Sequence, residues 1–240
     1  MRYFLRLPAV AARACWLRGL RRPRRRLLWL LAGTAACAPA RFVKPLAAGQ
    51  QAVSVALGGP LISYGGTAIP LPFLTAAYGR GFSPTLTGFG AVNVTSALYG
   101  NAQVELGLTK QLLAQRGWVP GLSVSPAATL LYRPGTAFRL YPTLDGYAYW
   151  DYRRHRSYVY VGVSNWFELS GTHVFGQPQP HHWLMTPLLG TVLGGERWSF
   201  TAEAKVIAPN LANDYNTAEY RTPFGTHGAL GVYLGVTRKF

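Results

Sequence analysis

Two long runs of strict period-two alternation, separated by four polar residues, restrict this chain more than any other feature. From Leu140 to Tyr152, Leu140, Leu144, Ala148 and Trp150 alternate with Tyr141, Thr143, Asp145, Tyr147, Tyr149 and Asp151. After Arg153-Arg154-His155-Arg156, Val159, Val161, Val163, Phe167 and Leu169 alternate with Tyr158, Tyr160, Gly162, Ser164, Trp166 and Glu168. Such a pattern belongs to strands with two unlike faces, and the polar break between them predicts a hairpin. Each run exceeds the roughly 9–11 residues that a tilted membrane-crossing strand needs. Trp150, Tyr152 and Tyr158 beside the turn, with Trp166 and Phe167 at the far end, are expected to form two interfacial belts.

The same pattern extends over most of the chain. Strands are expected at about 51–58, 72–81, 85–95, 98–108, 118–132, 140–152, 157–169, 183–193, 198–207 and 227–240. The fold class is therefore all-β: one antiparallel up-and-down barrel of about 10 strands, with eight as the alternative. Turns at Ser83-Pro84, 153–156 and 194–197 are short, whereas loops at 59–71, 170–181 and 208–226 are long, and the two kinds fall at opposite ends. Membrane barrels show that asymmetry. Pro120, Pro126, Pro142 and Pro187 oppose it, because a closed barrel needs its backbone donors paired; bulges are expected there.

A soluble β-domain alternates too, but with its apolar face inward. Two observations favour lipid on the apolar face. Trp118, Trp150, Tyr158, Trp183, Trp198 and Phe240 gather near strand ends, as membrane-interface aromatics do. Glu105, Asp145, Asp151, Glu168, Glu203 and Lys205 fall on the polar faces and are expected to form a network in the lumen, with Arg80, Arg139 and Lys239 as further cations. A narrow bore of this size is mostly filled by side chains, so no open pore is expected. A lipid-anchored soluble β-domain stays open as the alternative.

Charge gives little support to nucleic-acid binding. The formal charge is +16, but nine arginines lie in the first 26 residues; without them, 15 basic residues face 8 acidic ones, a net +7. Only Arg153–Arg156 remains as a basic run, too small a footprint. Residues 1–36 are expected to be an export signal, with an Arg-rich stretch, the apolar run 27–32 and the small residues Gly33-Thr34-Ala35-Ala36. Cys37 follows at once, and Leu30 to Cys37 resembles a bacterial lipoprotein signal, which implies lipidation of Cys37; Thr34 departs from that pattern. Ordinary cleavage near Ala36 or Ala38 is the alternative. Residues 37–50, with Pro39, Pro45 and Gly49, are expected to be this lipidated or linker segment, and 51–240 the barrel.

The last strand, where Val232, Leu234 and Val236 alternate with Gly231, Tyr233, Gly235 and Thr237 before a final Phe240, resembles the C-terminal signal of bacterial outer-membrane barrels. Arg238 is a departure from it. The chain is similar to uncharacterised barrel-forming envelope proteins of Gram-negative bacteria, especially Bacteroidota. That resemblance implies outer-membrane lipid and the barrel-assembly machinery as partners, periplasmic N- and C-termini, and a structural or surface-recognition role. A barrel-embedded lipid-modifying enzyme and a small-solute pore are the alternatives. A set such as Ser170, His182 and Glu168 could act as nucleophile, base and acid, although no motif supports it. His181-His182 makes a poor metal pair, because neighbours on a strand point to opposite faces. No phosphate loop, cysteine cluster or dinucleotide fingerprint occurs, so no cofactor is expected.

Overall fold

A computed structural model describes residues 39, 41–136, 138–152, 156–172, 178–213 and 219–240. Its strands are β1 (Gln51–Tyr64), β2 (Thr67–Pro70), β3 (Phe73–Ser83), β4 (Leu86–Asn93), β5 (Ala102–Leu113), β6 (Gly121–Tyr132), β7 (Arg139–Tyr152), β8 (Ser157–Phe167), β9 (Trp183–Gly194), β10 (Trp198–Ala212) and β11 (His227–Lys239). Ten of them pair antiparallel in sequence order, and β11 returns to β1 in register from Ala52↔Lys239 to Pro60↔Gly231. The ring is closed and has no free edge, the condition for a sheet to stand in hydrocarbon. β2 lies outside the ring and extends the far end of β1 as a small hairpin. One short helix, α1 (Val94–Leu98), joins β4 to β5, started by Asn93, whose Oδ1 accepts from the Ser96 amide at 2.9 Å.

The two ends differ as the loop lengths predict. At one end the connections are 84–85, 114–120, 153–156 and 195–197; at the other they are 65–72, 94–101, 133–138, 168–182 and 213–226. Gln51 and Phe240 meet at the short-turn end, where the Phe240 amide donates to the Gln51 carbonyl at 2.9 Å.

The wall is inverted relative to a soluble protein. Val159, Val161 and Val163 are exposed on β8, as are Phe200 on β10 and Leu234 and Val236 on β11, while Tyr149, Tyr160, Tyr233, Thr75, Thr109 and Thr129 are almost wholly buried in the bore. The soluble alternative needs the opposite arrangement.

Three of the four prolines expected within strands sit where pairing on one side is interrupted. The β5–β6 ladder passes from Gly107↔Ala127 to Lys110↔Val124, skipping Pro126. Pro142 lies just beyond Thr143↔Trp166, the last β7–β8 pair, and Pro187 just beyond Leu188↔Lys205, the last β9–β10 pair. Pro120 falls in the turn before β6. A missing donor therefore leaves no gap in a continuous ladder.

Several expected boundaries shift. β1 runs on to Tyr64 and β10 to Ala212, so part of each expected loop is strand, and β10 carries a register irregularity between Ile207 and Ala212. β6 starts at Gly121, leaving Trp118 in the preceding turn.

Candidate functional site

The bore is occupied by the chain's own N-terminal segment. Residues 41–50, expected as a linker, turn from the start of β1 into the barrel. Gly49, at a positive φ of 78°, makes the reversal, and its amide donates to the Gly81 carbonyl at 2.9 Å. The segment then climbs past Leu46, whose amide donates to Thr87 Oγ1 at 2.7 Å, and Val43, whose carbonyl accepts from Ser123 Oγ at 2.5 Å. Pro39 reaches the middle of the bore, beside Glu105, Asp145, Trp166 and Lys205.

Alternating chemistry holds this plug. Phe42, Val43 and Leu46 are buried. Phe42 stacks near Phe89 at 6.1 Å between ring centres, and Val43 joins a cluster with Tyr147, Tyr149, Tyr160, Leu188 and Val192. Two cations flank Phe42 and Val43. Arg41 Nε meets Glu105 Oε1 at 3.0 Å and its Nη1 donates to Thr75 Oγ1 at 3.1 Å. Lys44 Nζ meets Asp151 Oδ2 at 2.6 Å and lies 5.7 Å from the centre of the Tyr149 ring. Charged groups taken from water need such partners.

The wall supplies the remaining polar contacts. Glu203 accepts from Tyr160 Oη at 2.7 Å and faces Lys205 Nζ at 3.3 Å, with both side chains almost wholly buried. Tyr147 Oη donates to Asp145 Oδ2 at 2.8 Å. Glu168 lies just beyond β8 at the long-loop mouth, 4.0 Å from Arg139 Nη1, and its Oε1 accepts from the Ser170 amide at 2.8 Å. Glycines make room for the aromatic residues: a Cβ on Gly190 would stand 2.5 Å from Tyr160 Cζ, and one on Gly79 would stand 2.5 Å from Phe42 Cε2.

Of the six acids and bases anticipated in the lumen, Glu105 and Asp151 bond to the plug, while Glu203 and Lys205 bond to each other. Arg80 does not join them; it is exposed on the outer side of β3. Trp118, Trp198 and Phe240 lie outside at the short-turn end, where the Arg238 guanidinium covers the Trp198 and Phe240 rings at 5.5 and 4.9 Å. Trp150 is beside them, its Nε1 donating to the Trp118 carbonyl at 3.1 Å, and Trp183 is exposed at the other end.

Two aromatics depart from their expected positions. Tyr158 is not at the membrane interface: it shares the parity of Tyr160, points into the bore and packs 6.1 Å from Tyr149. Trp166 likewise turns inward, 5.0 Å from Tyr141. Strand parity, not nearness to a strand end, decides which face a ring occupies. Cys37, His155 and His173 lie outside the described residues.

The candidate catalytic set does not assemble. Ser170 Oγ donates to the Thr172 carbonyl at 3.1 Å, and His182 Nδ1 meets the Glu168 carbonyl at 2.8 Å. The Glu168 carboxylate is committed to Ser170's amide, so none of the three pairs as base to nucleophile requires. Among the described residues no three His, Cys, Asp or Glu side chains group as metal ligands.

No known protein family matches the sequence, and no curated protein matches it. Solved structures similar in shape include an outer-membrane channel from Pseudomonas putida F1, 9% identical, covering 85% of this chain and 100% of that one with a TM-score of 0.46. The translocator domain of the autotransporter NalP from Neisseria meningitidis is 9% identical over 82% of this chain and 91% of its own, with a TM-score of 0.42. The outer membrane protein OprG from Pseudomonas aeruginosa is 10% identical over 82% and 99%, with a TM-score of 0.29.

Proposed function

We propose that the protein is a bacterial outer-membrane barrel kept shut by its own N-terminal segment, with a structural or surface-recognition role carried by the long loops 168–182 and 213–226. The pairing of Arg41 with Glu105 and of Lys44 with Asp151 carries this proposal. Two cations and three apolar anchors, set in sequence to match acids and slots on seven different strands, make a fitted stopper rather than a passing tether. β11 serves as the strand that the barrel-assembly machinery recognises, and outer-membrane lipid covers Val159, Val161 and Leu234. The short-turn end, where β1 begins and β11 ends, faces the periplasm.

The run from Leu30 to Cys37 supports acylation of Cys37, with ordinary cleavage near Ala36 or Ala38 as the alternative, and the intact mass of the mature protein distinguishes the two.

A second reading, a channel opened by withdrawal of the plug, is favoured by the pairing of charge: Arg41 and Lys44 of the plug meet Glu105 and Asp151 of the wall. Planar bilayers test both. Wild-type protein is expected to be silent, and the Arg41→Ala/Lys44→Ala variant to show cation-selective steps, because Glu105 and Asp151 then line the bore unneutralised. Steady conductance from wild-type protein would overturn the stoppered barrel.

A further inference from the structure

We infer that the short-turn mouth of the bore holds a binding site for a phosphate-type oxyanion. Beneath the plug lies a cavity of about 150 Å³, walled by the plug on one side and by β8 to β11 on the other. At about 30 Å³ per water, it has room for a tetrahedral oxyanion with part of its hydration. Lys44, Arg156 and Lys239 line it with Arg41 at its inner end, no Asp or Glu among the described residues lines it, and hydroxyls come from Tyr158, Ser199 and Thr201.

The charges are unevenly answered. Arg41 and Lys44 are met by Glu105 and Asp151, and Arg156 by Glu196 at 2.9 Å in a largely exposed pair. Lys239 is half-buried, and among the described residues nothing bonds to its ammonium; Lys44, of the same sign, lines the same cavity. The cavity in the middle of the bore differs, since there Glu105 and Asp145 balance Arg41 and Lys205. An excess of cations around an enclosed space, with hydroxyl donors between them, favours an anion of high charge and several acceptors. A phosphate monoester or inorganic phosphate has both properties, and so does the phosphate of a lipid headgroup at the barrel's rim. The inference holds whichever compartment this mouth faces.

Full-chain protein folded in dodecyl maltoside, which contains no phosphate, separates the possibilities. Calorimetric titration with inorganic phosphate at constant ionic strength, with chloride as the reference anion, is expected to show saturable binding. Lys239→Gln is expected to weaken it by about tenfold or more, the loss of one charge-assisted hydrogen bond, and Thr201→Val by less. Lys110→Gln, on the outer surface, is expected to leave it unchanged. A parallel arm supplies phosphatidic acid in phosphatidylcholine nanodiscs and follows lipid retention by native mass spectrometry. Saturable phosphate binding identifies a free oxyanion as the source; retention of phosphatidic acid that Lys239→Gln abolishes, without phosphate binding, identifies a headgroup. No saturable binding in either arm, or binding that survives both Lys239→Gln and Thr201→Val in variants that keep the wild-type circular dichroism, overturns the site.

Discussion

The two faces of β8 belong to the same eleven residues, yet they answer to different solvents. On one, Val159, Val161 and Val163 stand exposed with no protein over them. On the other, Tyr158, Tyr160 and Ser164 meet hydroxyls, carboxylates and the plug. A buried tyrosine beside an exposed valine would be perverse in water, where apolar area is driven inward at about 25 cal/mol per Å². It is economical in a bilayer, where the exterior is apolar and polar groups need partners inside. The strand's interior face is consequently built for specificity and its exterior for solvation. Substitutions on the two faces should fail for different reasons.

The inner face should be the more sensitive. Glu203→Ala leaves the Lys205 ammonium and the Tyr160 hydroxyl buried without their shared carboxylate, and a loss of about 3–5 kcal/mol is expected. Urea titration of folding into lipid vesicles measures it; a loss under 1 kcal/mol, well below that range, would mean that water fills the bore around these groups. On the outer face, Val161→Arg near the middle of β8 is expected to cost about 2–4 kcal/mol in the same assay. In a detergent-free aqueous state it would instead improve solubility if the face met water. Gly190→Ala is the mildest of the three, since Tyr160 must move to admit a methyl that would stand 2.5 Å from its ring; about 1–3 kcal/mol is expected, and Gly190→Ala combined with Tyr160→Phe should recover little of it, because the ring itself is the obstacle.

The sequence disclosed the wall much better than its contents. Alternation is local, so Leu140 to Glu168 could be assigned to a hairpin from its own residues, and Thr143↔Trp166 through Tyr152↔Ser157 are indeed paired. α1 and β2 were harder to see: α1 is a single turn capped by Asn93, and β2 is only the short return arm of a hairpin at the far end of β1. The plug was missed because its contacts join residues far apart in sequence, Lys44 to Asp151 and Val43 to Ser123. A signal was present nonetheless. The strands carry more inward acids than bases, and Arg41-Phe42-Val43-Lys44 offers two cations flanking two apolar residues in what otherwise reads as spacer. The acids of the wall were assigned to cations of the wall, when two of them are neutralised from elsewhere in the chain. Tyr158 teaches the same point on a smaller scale, since the interfacial rule attracted it outward while its parity with Tyr160 already put it in the bore.

Everything depends on which side of the wall faces hydrocarbon. Single spin labels at positions 161 and 164, in protein reconstituted into vesicles, test this most directly through collision rates with oxygen and with a water-soluble nickel chelate. The label at 161 should meet oxygen freely and the chelate hardly at all, while the label at 164, enclosed between wall and plug, should meet little of either. A label at 161 that meets the chelate more readily than oxygen would contradict the membrane barrel.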